Sequence, residues 1–146
     1  QIVETTQLIA AERGVNFECI LPETDIVAGR EALLTIVHNL VANALKFSPA
    51  NGLIKVSLSH DASTARLDII DQGPGVAERD APHIFEPFYR SSASRDIAGV
   101  GLGLAIAREF VLAHRGELKL MPSSAGAHFC VILPLKASYL RQAPHA

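Results

Sequence analysis

Two asparagines and a lysine share one face of a predicted helix near the middle of the chain. Asn39 and Asn43 are four residues apart, and Lys46 follows three residues later, so all three side chains lie on the same side of an α-helix. Asparagine carbonyl oxygens are hard, neutral ligands that suit Mg²⁺, and a lysine ammonium group attracts phosphate. The same residues would also form the solvated face of an amphipathic helix, so this spacing leaves both interpretations open.

A carboxylate and two glycines follow directly after a short apolar run. Asp71, Gly73 and Gly75 belong to the string DQGPG, which comes after ARLDII. A carboxylate at the end of a strand can accept a hydrogen bond from an exocyclic amine, and glycines let the backbone approach a flat ring. The string would also make a simple turn.

A glycine-rich run precedes the last predicted helix. Its residues are Gly99, Val100, Gly101, Leu102, Gly103 and Leu104. Backbone N–H groups and the positive dipole at a helix N-terminus form a site that suits phosphate, and a flexible hinge is the alternative. The run does not match the dinucleotide-binding fingerprint, because Leu104 stands where the third glycine is needed and no strand is predicted before it.

The elements that must position these residues follow from hydrophobic periodicity and turn signals. Helices are predicted over 1–13, 31–47 and 102–114, and strands over 15–21, 25–28, 53–59, 65–70, 117–121 and 128–133. Residues 71–99 show no clean period and predict a long loop, and residues 137–146 predict a frayed tail. Since regular βαβ alternation is absent, the order predicts an α+β two-layer sandwich. We expect a mixed sheet of about five strands, covered on one face by about three helices.

Composition limits the class of protein. The chain has 146 residues, of which 49% are apolar, and its net charge is -2. This predicts one folded domain and argues against a nucleic-acid binder. There is no apolar run long enough to span a membrane. Cys19 and Cys130 have no metal-ligand spacing and are interpreted as reduced core thiols of a cytoplasmic protein. Because the chain opens with Gln1 and its only methionine is Met121, we expect a domain excised from a larger protein.

The remaining histidines, aromatic residues and arginines receive structural interpretations. The scattered histidines are His38, His83 and His114. They fit no metal or catalytic spacing, so we expect surface or packing roles. Phe85 and Phe88 in IFEPFYR are expected to anchor the long loop on the core. Arg90 and Arg95 are expected to be solvated, although either could reach a phosphate.

Four strings occur in an informative order: HNLVANALKFSPANG, DQGPGV, IFEPFYR and GVGLGLAI. Together they resemble the catalytic, ATP-binding domain of sensor histidine kinases, in the superfamily shared with gyrase, Hsp90 and MutL. The resemblance covers residues 1–136, with an ATP lid at about 76–98 and a C-terminal tail at 137–146. It implies a Bergerat-type fold, in which the lid closes over the nucleotide.

The resemblance also implies roles for the residues of the helix. Asn43 would ligate Mg²⁺, assisted by Asn39, and Lys46 would meet the phosphates of ATP. Phe47 stands where an aromatic ring usually lies on the adenine.

The two glycine motifs take the other parts of the nucleotide. Asp71 would accept the adenine amino group, with Gly73 and Gly75 shaping the base pocket. The triphosphate would be wrapped by the run that consists of Gly99, Val100, Gly101, Leu102, Gly103 and Leu104.

The resemblance further predicts phosphoryl transfer rather than hydrolysis. Gyrase-type and Hsp90-type relatives use a glutamate base at the position of Asn39, and an amide cannot serve as that base. The family's acceptor histidine lies in a motif resembling HE(L/I)RTP on a separate helical hairpin, and that motif does not occur in this chain. We therefore expect a fragment that binds Mg²⁺·ATP as a monomer without phosphorylating itself.

The expected partners are the phosphoacceptor hairpin of a dimeric parent kinase and the receiver domain of a response regulator. The parent is expected in the bacterial inner membrane, with this part in the cytoplasm and no nucleic acid bound. Two alternatives stay open: a serine kinase of the anti-sigma-factor type, and a non-catalytic nucleotide-sensing module of the same fold.

Overall fold

The computed structural model describes residues 16–20, 30–91 and 101–135. Within these ranges the chain forms β1 (Asn16–Ile20), α1 (Arg30–Phe47), β2 (Leu53–His60), β3 (Thr64–Ile70), α2 (Gly103–Ala113), β4 (Glu117–Met121) and β5 (His128–Pro134). The described strands make one sheet in the order β1-β2-β3-β5-β4. β1 runs parallel to β2, and every other pairing is antiparallel. The predicted mixed sheet of about five strands is therefore confirmed.

Helix α1 forms because one of its faces is almost entirely apolar. Its buried residues are Ile36, Val37, Leu40, Val41, Ala44 and Leu45, each at most 4% exposed. They recur at the spacing of an amphipathic helix. The helix ends at Phe47, two residues before Pro49, as expected because the residue before a proline disfavours helical geometry. Both ends lie within one residue of the prediction.

The helices cover one face of the sheet. Ala65, Leu67 and Ile69 alternate along β3 as its buried residues. Leu67 and Ile69 share one hydrophobic cluster with α1 and with Val111 of α2. A single core between one sheet and one helical layer is the two-layer sandwich that the sequence predicts.

The opposite face of the sheet carries a polar group around Asp68. Its carboxylate accepts hydrogen bonds from Arg66 Nε at 3.0 Å and from His128 Nε2 at 2.7 Å. Burial alone would raise the pKa of Asp68, but these bonds lower it overall. Cys130, the register partner of Asp68, is a buried free thiol whose pKa is raised by burial. It thus lies on the face turned away from the helices, and the side chain of Cys19 is outside the description.

The described part of the predicted long loop is folded against the core by turns. Residues 77–89 make successive backbone hydrogen bonds, and Ile84 is only 7% exposed. Phe85 packs edge-on against Phe129 with ring centroids 6.1 Å apart, so it is the anchor that the sequence predicts. The same prediction for Phe88 is wrong, because its side chain is 69% exposed. At Phe88 the backbone makes the contact instead, its N–H donating to the Gly101 carbonyl at 2.9 Å.

Several predicted elements lie outside the described residues. They are the helix over 1–13, the strand over 25–28, the second part of the lid at 92–98, and the tail at 137–146. No helix in the described ranges combines the length and the hydrophobicity that a membrane crossing needs.

Candidate functional site

A cavity of about 240 Å³ lies between α1, the start of α2 and the end of β3. Most residues predicted to form a site are in its wall: Asn39, Asn43, Lys46, Phe47, Asp71, Gly75, Gly101, Leu102, Gly103 and Leu104. Gly73 is not in the wall but packs against Phe47 and Asp71. Gly99 and Val100 lie outside the described residues. Three motifs that are far apart in sequence thus meet at one place.

The amide side chains of Asn39 and Asn43, both on α1, line this cavity. Asn39 Nδ2 donates to the Thr35 carbonyl at 2.8 Å. Its Oδ1 is turned toward α2, since a Cβ added at Gly103 would lie 3.5 Å from that oxygen. Asn43, one turn later, is half-buried in the cavity wall. Both amides therefore lie at the cavity, where they could bind a ligand, and not in the apolar core.

Two cations lie at the same part of the cavity. Burial, and after it the charge of Arg90, lower the pKa of Lys46. The Lys46 ammonium group lies 5.5 Å from the centroid of the Phe47 ring. Arg90, which is exposed, is also part of the cavity wall. Bringing two like charges together is unfavourable, so this region favours an anionic ligand.

Asp71 is the buried carboxylate of the cavity, at 2% exposure. Its Oδ1 accepts the backbone N–H of Gly73 at 2.8 Å and that of Ala127 at 3.0 Å. Burial raises the pKa of Asp71, and the two hydrogen bonds offset part of that rise. The other oxygen, Oδ2, receives no hydrogen bond from any described residue, and it is not sealed from the surface. One oxygen is thus fixed by the protein while the second remains available to a ligand.

Close backbone contacts hold Asp71 in this position. Gly126 has φ +73° and packs so tightly that a Cβ there would lie 2.0 Å from the Asp71 carbonyl oxygen. Gly75, at φ +76°, packs against Gly126 in turn. Only glycine adopts such conformations without strain. The loop between β4 and β5 is therefore part of the site.

Helix α2 starts at the cavity without a cap. Leu102 at its N-cap position makes no side-chain hydrogen bond, and the first turn contains no acidic residue. The first N–H groups of a helix have no partner within the helix, and the dipole makes that end positive. Gly103 and Leu104, which line the cavity, thus offer backbone donors to an anion.

Sequence reasoning missed part of this site. Tyr89 lines the cavity and was not singled out. Arg90 also lines it while staying exposed, in agreement with the prediction of a solvated arginine. Gly126 and Ala127 act through their backbones, and Thr35 acts through its carbonyl. No side-chain pattern marks a residue that contributes only its main chain, so the sequence offered no signal for these three.

The histidines are at the surface, as expected. His38 is exposed, His83 contacts Glu86 at 3.2 Å, and His114 Nδ1 lies 2.7 Å from the Phe110 carbonyl. Over the described ranges no group of three or more His, Cys, Asp or Glu side chains could hold a metal ion. A metal in the cavity would therefore depend on amide oxygens and on the ligand.

The raised pKa of Asp71 predicts a dependence of stability on pH. The native state binds the proton more tightly than the unfolded chain, whose pKa has the ordinary value of 3.8. The stability linked to this group is therefore fully present below pH 3.8 and is lost as the pH rises through the native pKa. Urea unfolding at several pH values should show the wild type losing free energy of unfolding relative to Asp71→Asn in this window. A pH-independent difference would contradict the raised pKa.

The contact between Gly126 and Asp71 predicts an unequal cost for two similar substitutions. Gly126→Ala and Gly75→Ala both place alanine at a positive φ, which costs about 1–2 kcal/mol. In Gly126→Ala the new methyl group also displaces Asp71, while the nearest atom to a Cβ at Gly75 is 3.2 Å away. We expect Gly126→Ala to lower the free energy of unfolding clearly more, measured by urea denaturation. Equal losses would show that the close approach has no energetic weight.

Comparison with known proteins identifies the family. Residues 28–137 match the family described as histidine kinase-, DNA gyrase B-, and HSP90-like ATPase. The sensor protein SphS of Synechococcus elongatus is 41% identical in an alignment of 128 residues that covers 80% of this chain and 31% of that protein. The histidine-protein kinase BaeS of Escherichia coli is 35% identical in an alignment of 136 residues that covers 90% of this chain and 29% of that protein. The chain therefore spans less than a third of these curated relatives.

Solved structures agree with the sequence comparison. The structure of the mycobacterial sensor histidine kinase MprB superposes with a TM-score of 0.83 at 32% identity, over 92% of this chain and 93% of that one. Full-length ShkA in complex with AMPPNP superposes with a TM-score of 0.77 at 29% identity, over 92% of this chain and 29% of that one. The chain thus belongs to the histidine kinase-, DNA gyrase B- and HSP90-like ATPase family, as a catalytic domain of the histidine kinase type.

Proposed function

We propose that the chain binds Mg²⁺·ATP in this cavity and donates the γ-phosphoryl group to a histidine on a separate hairpin of its parent kinase. The observation that carries the proposal is the convergence on one cavity of an available carboxylate oxygen, two amides and an uncapped helix start. Each of these fits a different part of a nucleotide. Full-length ShkA, which superposes on this chain, was solved in complex with AMPPNP.

The adenine end of the ligand fits Asp71. Its Oδ2 is an acceptor without a protein donor among the described residues, and an exocyclic amine supplies such a donor. Gly73 leaves no space for a side chain, because a Cβ there would lie 2.6 Å from the Phe47 carbonyl. The loop that carries Asp71 therefore packs directly on the end of α1, and the base would lie between Asp71 and the Phe47 ring, which both line the cavity.

The phosphate end fits the opposite part of the cavity. The N–H groups at the start of α2 attract anions, with Gly101, Gly103 and, in our proposal, Gly99 in the wrapping loop. Lys46 and Arg90 add positive charge. Asn43, assisted by Asn39, offers neutral oxygen ligands, which suit Mg²⁺ when phosphates and water complete its coordination. Bound there, the metal would neutralise charge on the phosphates.

Asn39, an amide, stands where the resemblance places the catalytic glutamate of gyrase-type and Hsp90-type relatives. Asn39 has its Nδ2 engaged with the Thr35 carbonyl, and an amide oxygen does not remove a proton from water at neutral pH. Transfer to a positioned nucleophile requires only orientation and charge stabilisation from this site. The arrangement therefore favours a kinase over an efficient ATPase.

In our proposal the acceptor comes from another part of the parent, and the described residues that line the cavity include no histidine. We infer a helical hairpin of the parent as the first acceptor and the aspartate of a response regulator as the second. The curated relatives SphS and BaeS are a sensor protein and a signal transduction kinase. We place the reaction in the cytoplasm, on a parent anchored in the bacterial inner membrane.

Asn43→Ala tests the metal assignment directly. We expect calorimetry to show that Mg²⁺ strengthens ATP binding to the wild type, and that this gain is lost in Asn43→Ala, because the ligand oxygen is gone. Metal-free ATP should bind both proteins about equally. His38→Ala is the matched control, since His38 lies on the same helix but is exposed and outside the cavity wall. Retention of the full Mg²⁺ effect in Asn43→Ala would refute the assignment.

Phosphoryl transfer is tested by adding the acceptor separately. With γ-labelled ATP and Mg²⁺, the 146-residue chain should form no acid-labile phosphohistidine by itself. Addition of the proposed phosphoacceptor hairpin as a separate polypeptide should give phosphohistidine on that polypeptide, and Asn43→Ala should abolish it. Transfer to serine of a partner would instead indicate an anti-sigma-factor-type kinase. ATP binding without transfer to either acceptor would indicate a nucleotide-sensing module.

A further inference from the structure

Asp80 is a buried carboxylate that the proposed nucleotide contacts do not use. It is 4% exposed, and Asp71 is the other charged side chain that is buried in the described ranges. Asp80 does not line the cavity. Its Oδ1 accepts a hydrogen bond from the Tyr89 hydroxyl at 2.6 Å, and Tyr89 does line the cavity.

The backbone of Asp80 is fixed as firmly as its side chain. Its N–H donates to the Ala77 carbonyl at 2.9 Å, and its carbonyl accepts the N–H of His83 at 2.8 Å. The His83 ring lies on the Tyr89 ring, with centroids 5.3 Å apart. Asp80 is therefore a fixed point to which Tyr89 is attached.

Tyr89 joins this fixed point to the phosphate end of the cavity. The preceding residue, Phe88, donates its N–H to the Gly101 carbonyl at 2.9 Å, and a Cβ at Gly101 would lie 2.7 Å from the Tyr89 carbonyl oxygen. The following residue, Arg90, lies in the cavity wall, close enough for its charge to lower the pKa of Lys46. A shift of Tyr89 would thus move both Gly101, which belongs to the glycine-rich run before α2, and Arg90.

Apolar contacts already attach this segment to the core through Ile84 and Phe85. Burying a carboxylate costs free energy unless it is hydrogen-bonded, so Asp80 is not needed merely to anchor this segment on the core. What the carboxylate adds is direction, because a short hydrogen bond to a charged acceptor restricts the Tyr89 hydroxyl more than packing does.

We propose that Asp80 is a positioning residue that, through the Tyr89 hydroxyl, holds Arg90 and Gly101 in place for the phosphates of the nucleotide. The inference rests on the proposed function, since it assigns Arg90 to the phosphate end of the ATP site. Asp80 would act on the ligand only through Tyr89, Arg90 and Gly101 at the phosphate end, so its effect should depend on how many phosphates the ligand carries.

The test compares ATP with AMP on the 146-residue chain by calorimetry in the presence of Mg²⁺. Tyr89→Phe removes only the hydroxyl, and we expect it to weaken ATP about tenfold, the usual effect of losing a hydrogen bond to a charged group. AMP lacks the β- and γ-phosphates, so its affinity should change less than about twofold, since the lost hydrogen bond acts on the phosphate end of the site. Arg90→Ala should also weaken ATP binding selectively. Adding Tyr89→Phe to Arg90→Ala should cause a smaller loss than Tyr89→Phe causes in the wild type, because the part of the effect that acts through Arg90 is already gone.

Control variants separate positioning from simple stability. His83→Ala removes the ring that lies on Tyr89 but leaves the hydroxyl bond, so ATP affinity should be kept. Asp80→Asn keeps an acceptor oxygen and should lose less ATP affinity than Asp80→Ala, and it replaces Tyr89→Phe if that variant does not fold. Unfolding midpoints without nucleotide show which losses are structural.

The outcomes distinguish this inference from the proposed function. Equal losses of ATP and AMP affinity, or losses in Tyr89→Phe and Arg90→Ala that simply add, would overturn the positioning role while leaving ATP binding intact. Unchanged ATP affinity in Tyr89→Phe would do the same. A wild-type chain that binds neither nucleotide would overturn the proposed function and this inference with it.

Discussion

The site depends on keeping one carboxylate nearly out of water while leaving one of its oxygens available. Asp71 meets this condition because two backbone N–H groups, from Gly73 and Ala127, bind the same oxygen. Both donors come from loops that must approach very closely, and Gly126 permits that approach with its positive φ. The end of β3, the start of β5 and the loops next to them therefore fix the position of the Asp71 side chain. A site of this kind tolerates little change in its backbone.

The division of α1 into two faces links this requirement to folding. Its apolar face, with residues such as Leu40 and Ala44, drives the helix onto the sheet by removing hydrophobic surface from water. The rotation that buries these residues leaves Asn39, Asn43 and Lys46 at the cavity. The positions of the amides thus follow from the core. The Thr35 carbonyl of the same helix then orients the Asn39 amide.

The sequence predicts the parts of this molecule that local periodicity determines. Helix α1 and strand β3 were predicted within one residue, because each repeats its buried positions over its own length. The exposed position of Phe88 was not predicted, since it depends on the backbone pairing of Phe88 with Gly101. The roles of Gly126 and Ala127 arise from contacts across the sheet with Asp71. A single sequence holds no pattern for contacts made by main-chain atoms across such a distance along the chain.

The uncapped start of α2 has a consequence for the fold as well as for the chemistry. Helix termini in proteins are normally completed by a side chain or by solvent, and at Leu102 no side chain does so. A phosphate bound there would act as the missing cap, so the ligand would be a structural component of the helix. Because a ligand that binds only the native state stabilises it in proportion to the logarithm of its concentration, the supply of nucleotide in the cell would set how long this domain survives proteolysis.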